Sequence, residues 1–216
     1  MDLQKVGFYH RTHRERKQNP SKVSMPGRVG RFVFLLLISG FILGCSSSGT
    51  PYTYVRKNHD QPAVKKVAVF SFYNNTKISG ASKIVTQAFV ANLIKTRKFK
   101  VEFSGNIKSF LVSERIIVRS GVDLNTIKLA GKRLGVDAVV IGRIEEFIGI
   151  EKKKRSVVPV VSISLRMVDA RTGKILWMAQ HRRTGDDYIT VLDFGKVRSV
   201  GELTGKMVLE MIETMP

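Results

Sequence analysis

The sequence predicts an α+β fold, in which about three helices pack on a mixed β-sheet that ends in an antiparallel hairpin and a final helix. Three observations predict it. Short β-branched runs alternate with helical apolar stripes in the first half. Two long apolar runs flank the turn Asp169-Ala170-Arg171-Thr172-Gly173 in the second. A capping-box pattern then opens a helix near the C-terminus.

The first element is Lys66-Val67-Ala68-Val69-Phe70-Ser71-Phe72, β-branched and apolar enough for a buried strand. Asn74-Asn75-Thr76 follows as a loop. Gly80 to Thr96 places Ile84, Val85, Ala88, Phe89, Leu93 and Ile94 at helical spacing. Phe99-Lys100-Val101-Glu102-Phe103 alternates as a half-buried strand does. Ile107 to Glu114 is a short helix with Phe110 and Leu111 turned inward. Asp123 caps a helix over Leu124–Leu134, and Gly135 stops it. Ala138 to Ile144 is a central strand. Val157 to Val168 and Lys174 to Arg183 are the arms of the hairpin, with Asp169 and Gly173 supplying the turn geometry. Ser199-Val200-Gly201-Glu202 begins the last helix, which runs to about Met215.

Upstream of this domain the chain has a different character. Phe32 to Leu43 is mostly apolar but shorter than the ~20 residues of a spanning helix. Arg28 and Arg31 precede it, which gives the charged and apolar regions of a signal peptide. The run ends in Ile42-Leu43-Gly44-Cys45, which resembles the lipobox of bacterial lipoproteins, with Leu43 bulkier than usual there. Cleavage is expected between Gly44 and Cys45, with a diacylglyceryl group and an N-acyl chain on Cys45 and no other cofactor. Each buried CH₂ of such chains contributes about 0.8 kcal/mol, so several chains anchor firmly. Residues 1–44 are thus expected to be a signal peptide, with Met25 the expected true start because 1–24 make an overlong charged region. Residues 45–64 are expected to form a lipidated flexible tether, with Ser46-Ser47-Ser48 and the polar stretch from Thr53 to Val64, and 65–216 a periplasmic domain. Ser46, not aspartate, after the cysteine matches an outer-membrane address.

The chain is strongly basic, at +20 over 216 residues. Six basic and two acidic groups lie in 1–24 and two arginines in 25–44, leaving 29 basic against 15 acidic from Cys45 onward. That balance favours anionic headgroups, cell-wall polymers or acidic protein faces. Lys152-Lys153-Lys154-Arg155 concentrates it between two strands, as an anionic docking candidate or a solvated loop. No aromatic residue interleaves with the run, which speaks against single-stranded nucleic acid.

No catalytic set assembles. The single cysteine excludes an internal disulfide and a cysteine-based zinc cluster. Of the histidines, His10 and His13 precede the cleavage site, His59 lies in the tether and His181 stands alone, so no metal site is expected. No phosphate-binding glycine loop or nucleophile elbow occurs. Glu145 and Glu146 are adjacent, so on a regular strand they face opposite ways. Asp186 and Asp187 beside Gly185 read as turn-making residues.

From Lys65 onward the sequence resembles the CsgG-like family of envelope lipoproteins. That group takes in the curli secretion channel, LpoB-like activators of penicillin-binding proteins and domains related to the TolB N-terminal fold. The residues carrying the resemblance are Val67-Ala68-Val69-Phe70 with Asn74 and Asn75, then Leu134-Gly135-Val136-Asp137-Ala138-Val139-Val140-Ile141-Gly142, and Leu165 to Trp177. The resemblance implies a non-catalytic, lipid-anchored protein on the periplasmic face of the outer membrane. Such a protein assists or regulates an envelope machine through contacts with envelope proteins or cell-wall polymer, with a homo-oligomer left open. A reduced curli-type channel is the alternative. Against it, the segments where membrane-crossing hairpins would fall, Glu145–Val161 and His181–Val200, are too charged to face lipid.

Overall fold

The computed structural model describes residues 49–56, 63–118, 121–149 and 157–216. Seven strands form one mixed sheet: β1 (Tyr52–Val55), β2 (Lys66–Val69), β3 (Tyr73–Asn74), β4 (Lys100–Val101), β5 (Ala138–Ile148), β6 (Val160–Asp169) and β7 (Ile175–Thr184). Their order is β1-β7-β6-β5-β2-β4, with β3 continuing alongside β5 beyond β2. β2 and β3 run parallel to β5, and β4 runs parallel to β2, whereas β5, β6, β7 and β1 form an antiparallel meander. The α+β class read from the sequence is the observed one.

Four α-helices cover this sheet: α1 (Ala81–Thr96), α2 (Ser104–Ser113), α3 (Leu124–Leu134) and α4 (Val200–Glu213). α1 buries Ala81, Val85, Phe89 and Leu93, an i, i+4 row, while Ile94 is exposed, so its apolar stripe is narrower than the sequence suggests. α4 buries Leu203, Met207 and Met211 beside it. Together they close one whole face of the sheet over Val161, Ile163, Leu165, Met167, Trp177 and Ala179. Phe72 meets Phe89 edge-on at 5.4 Å, and Trp177, fully buried, donates from Nε1 to Thr214 Oγ1 at 3.0 Å.

α3 starts where Asp123 accepts the Thr126 amide at 2.7 Å, and stops at Gly135, whose φ of 62° suits glycine. α2 and α3 lie on the second face, but only over one corner. There Phe110, Ile127 and Ala130 pack on Phe70, Val139, Ile141 and Val168. The rest of that face, toward β1, carries no helix among the described residues. No helix among them is long and apolar enough to cross a membrane.

Two expectations need correction. The stretch from Thr53 is not linker at its start, because Tyr52–Val55 pairs antiparallel with Trp177–Gln180. All four residues of β1 are exposed, so no alternation marked the strand, and the open edge of β7 recruits it. The loop expected at Asn74 begins one residue late, since Tyr73–Asn74 pairs with Arg143–Ile144 before Asn74 Oδ1 accepts the Thr76 amide at 3.0 Å and turns the chain.

Candidate functional site

The uncovered part of the second sheet face is built by strand alternation. On β5, β6 and β7, residues facing the α1–α4 core alternate with Arg143, then Ser164 and Arg166, then Met178, Gln180 and Arg182 on the other side. Register aligns these into rows. Ile141, Arg166, Met178 and Tyr54 form one, and Arg143, Ser164, Gln180 and Tyr52 the next. Val118, Gly121 and Val122, from the α2–α3 connection, wall one side. The result is a groove of about 450 Å³ floored by the sheet and edged by the tyrosines of β1.

Its charges differ in how they are held. Arg182 is clamped by Glu146 through two bonds of 2.9 and 3.1 Å, which hold the Glu146 carboxyl below its usual range. Arg143 lies 5.6 Å over the Tyr73 ring and 3.8 Å from Glu145. Arg166 is exposed in the centre of the floor and makes no ion pair among the described residues. An exposed guanidinium on a flat, half-apolar floor suits a carboxylate-bearing partner surface.

The expectation that Glu145 and Glu146 face opposite ways fails for a structural reason. A β-bulge between Ile144 and Glu146 interrupts alternation, and Ile144 and Phe147 both point into the helix-covered core. Both carboxylates are thereby turned off that core. They remain separately held: Glu145 accepts from Asn75 Nδ2 at 3.0 Å, and Glu146 binds Arg182.

A second polar cluster lies on the helix-covered face, at the end of the sheet where β7 finishes. His181 and Arg183 sit on the buried side of β7 and converge with Tyr188 on Glu210 of α4. Glu210 Oε2 accepts from His181 Nε2 at 2.6 Å and from Arg183 Nε at 3.0 Å, and Oε1 accepts from the Tyr188 hydroxyl at 2.8 Å. Burial pushes the Glu210 carboxyl up, but the bonds from Arg183, His181 and Tyr188 outweigh it and hold the group below its usual range. Burial drives the His181 imidazole down against the opposing pull of Glu210. These mutual bonds tie β7 to α4. Among the described residues no group of three His, Cys, Asp or Glu side chains could hold a metal ion.

Gly44, Cys45 and Lys152-Lys153-Lys154-Arg155 lie outside the described residues, as do His10, His13 and His59. Asp187 makes the turn that sequence assigned to it, accepting the Thr184 amide at 2.8 Å, and Asp186 pairs with Lys196 at 3.0 Å. Sequence reasoning missed the convergence on Glu210. Its signal was available in Trp177-x-Ala179-x-His181-x-Arg183, where polar residues continue the period of an apolar face and therefore require a buried partner.

A mixed sheet closed by helices on one face and left half open on the other defines a small α+β domain. The chain belongs to the LpoB family: the family model described as peptidoglycan-synthase activator LpoB matches residues 45–182. The family is one of regulatory activators. The wider CsgG-like resemblance and its curli-channel branch find no support here, whereas the LpoB-like branch does. No protein with a curated description matches in sequence. Among solved structures, the chain is similar to PelC of Paraburkholderia phytofirmans, described as a dodecamer, at 18% identity and a TM-score of 0.52 over 76% of this chain and 96% of that one. It is also similar to the LpoB C-terminal domain of Salmonella enterica, at 11% identity and a TM-score of 0.43 over 58% and 86%. At such identity the PelC likeness speaks to the fold alone.

Proposed function

We propose that this protein is a non-catalytic envelope lipoprotein, anchored through Cys45 on the periplasmic face of the outer membrane, that activates a peptidoglycan synthase by contact. The surface that makes the contact is the open sheet face around Arg166. The supporting observation is the exposed Arg166 at the centre of a groove flanked by Arg143, Met178, Tyr52 and Tyr54, with no ion pair to Arg166 among the described residues. Arginine and tyrosine are residue types that dominate interface energetics when a partner covers them. The clamped Glu146–Arg182 pair at the margin keeps the face ordered.

The test is binding and activation with the purified synthase of the same cell. The wild-type chain raises the rate of glycan-strand polymerisation and co-purifies with the enzyme. Arg166→Glu loses both while its circular dichroism and melting are unchanged. Equal activation by Arg166→Glu and wild type places the contact elsewhere and overturns the assignment of this face.

A further inference from the structure

The loop after β7 is an exposed apolar hairpin. Thr190 donates to the Phe194 carbonyl at 2.8 Å and Phe194 to the Val191 carbonyl at 2.8 Å, so Leu192 and Asp193 form a tight turn, both with positive φ. Its apolar side chains are not buried: Val191 is 63%, Leu192 88% and Phe194 74% exposed, and Ile189 stands at the rim. Such a tip costs solubility unless something covers it.

The tip is held firmly at its base. Val197 donates to the Gly185 carbonyl at 3.0 Å, and Lys196 pairs with Asp186. Tyr188, just before the hairpin, is fixed by Glu210 and by Arg183, whose guanidinium lies 5.2 Å from the ring centre. The same Arg183 marks where the chain enters the domain, since a Cβ at Gly49 would lie 3.3 Å from its Nη1. Gly49 is four residues from Cys45, and four extended residues reach about 14 Å at most. The entry of the chain and the base of the apolar hairpin therefore share one side chain at one end of the sheet.

We infer that this hairpin is a second membrane contact, which seats the domain on the bilayer that holds the Cys45 lipid. The inference rests on the reading of Cys45 as the anchor, not on synthase activation. The short reach confines that end of the domain to the lipid surface, and Val191, Leu192 and Phe194 enter the interface there. Arg198, exposed beyond the hairpin, faces the headgroups, and Asp193 at the turn limits entry to a shallow depth. The acyl chains on Cys45 hold the chain at the bilayer but leave the domain free to turn, and a seated hairpin fixes its orientation. A domain so seated acts only on partners that come to that membrane surface.

The experiment uses the full lipidated chain, its Cys45 modification confirmed by mass spectrometry, in vesicles of phosphatidylethanolamine and phosphatidylglycerol. Phe194→Trp places an indole at the tip. Phe103→Trp places one at an equally exposed site beyond β4, near the strand ends opposite the hairpin. Emission of the first shifts to the blue on vesicle insertion and is quenched several-fold more strongly by bromine-labelled lipid than that of the second. Equal, weak quenching of both overturns the inference. A blue shift that follows protein density and ignores bromolipid means that a second copy covers the hairpin, and also overturns it. If mass spectrometry finds no lipid on Cys45, the anchor reading fails; bromolipid quenching of the tip indole in that chain still supports the hairpin, and its absence there overturns the inference.

Discussion

Replacing Glu210 with alanine tests the account of the cluster at the end of β7. One carboxylate accepts from His181, Arg183 and Tyr188, and the Arg183 side chain is only 7% exposed. Removing it leaves a nearly buried guanidinium without its ion-pair partner, a change that costs about 3–5 kcal/mol in protein interiors. The Glu210 side chain is 25% exposed, so water can replace part of the interaction and the lower end, about 3 kcal/mol, applies. For a domain of this size that lowers Tm by roughly 6–12 °C. Glu114→Ala is the control, because Glu114 bridges Arg133 at 2.8 Å where the arginine is 63% exposed, and its loss costs less than about 1 kcal/mol. Urea midpoints and calorimetric Tm values of wild type and both variants decide the matter. If Glu210→Ala unfolds no more easily than Glu114→Ala, the cluster does not hold β7 to α4 and the reasoning is wrong.

His181 and Glu210 are both held below their ordinary values of 6.5 and 4.5, so each contributes stability that is complete above its ordinary value and is lost as pH falls through its native one. Urea unfolding from about pH 8 down to about pH 4, which brackets ordinary histidine titration, should show stability flat above His181's ordinary value and declining below it; His181→Gln removes the earlier part of that decline. Gly142→Ala places a Cβ 2.2 Å from Leu165 Cδ2 and 3.1 Å from the Ser164 carbonyl, an overpacking worth about 1–3 kcal/mol by denaturant titration. Cys45→Ala should leave the 49–216 fold intact by circular dichroism while the protein no longer takes up palmitate; continued palmitate labelling would remove the anchor from the account.

The fold was legible wherever one face of an element is buried. α3 was bounded to the residue because an acidic cap and a glycine in the left-handed region bracket an apolar stripe. The β6–β7 hairpin followed from two long apolar runs around Asp169, whose Oδ1 accepts the Arg171 and Thr172 amides. β1 was not legible, because a strand exposed on both sides leaves no periodic trace and exists only through the edge it joins. The bulge at Glu145 was hidden likewise, since adjacent carboxylates read the same in a regular strand. For the candidate face, Arg143 and Arg166 could be seen in the sequence but not their alignment with β1, which depends on register. The Glu210 cluster needed a helix that is far away in sequence, so composition alone could not pair its members.

The central claim is that the open sheet face, and not a catalytic group, carries the function. It is tested most directly by measuring the polymerisation rate of the purified synthase with wild type, Arg166→Glu and Lys174→Glu, the last an exposed turn charge off the groove. The account predicts that wild type and Lys174→Glu stimulate equally and Arg166→Glu does not. Stimulation by Arg166→Glu at the wild-type level, or none by the wild-type chain, contradicts it.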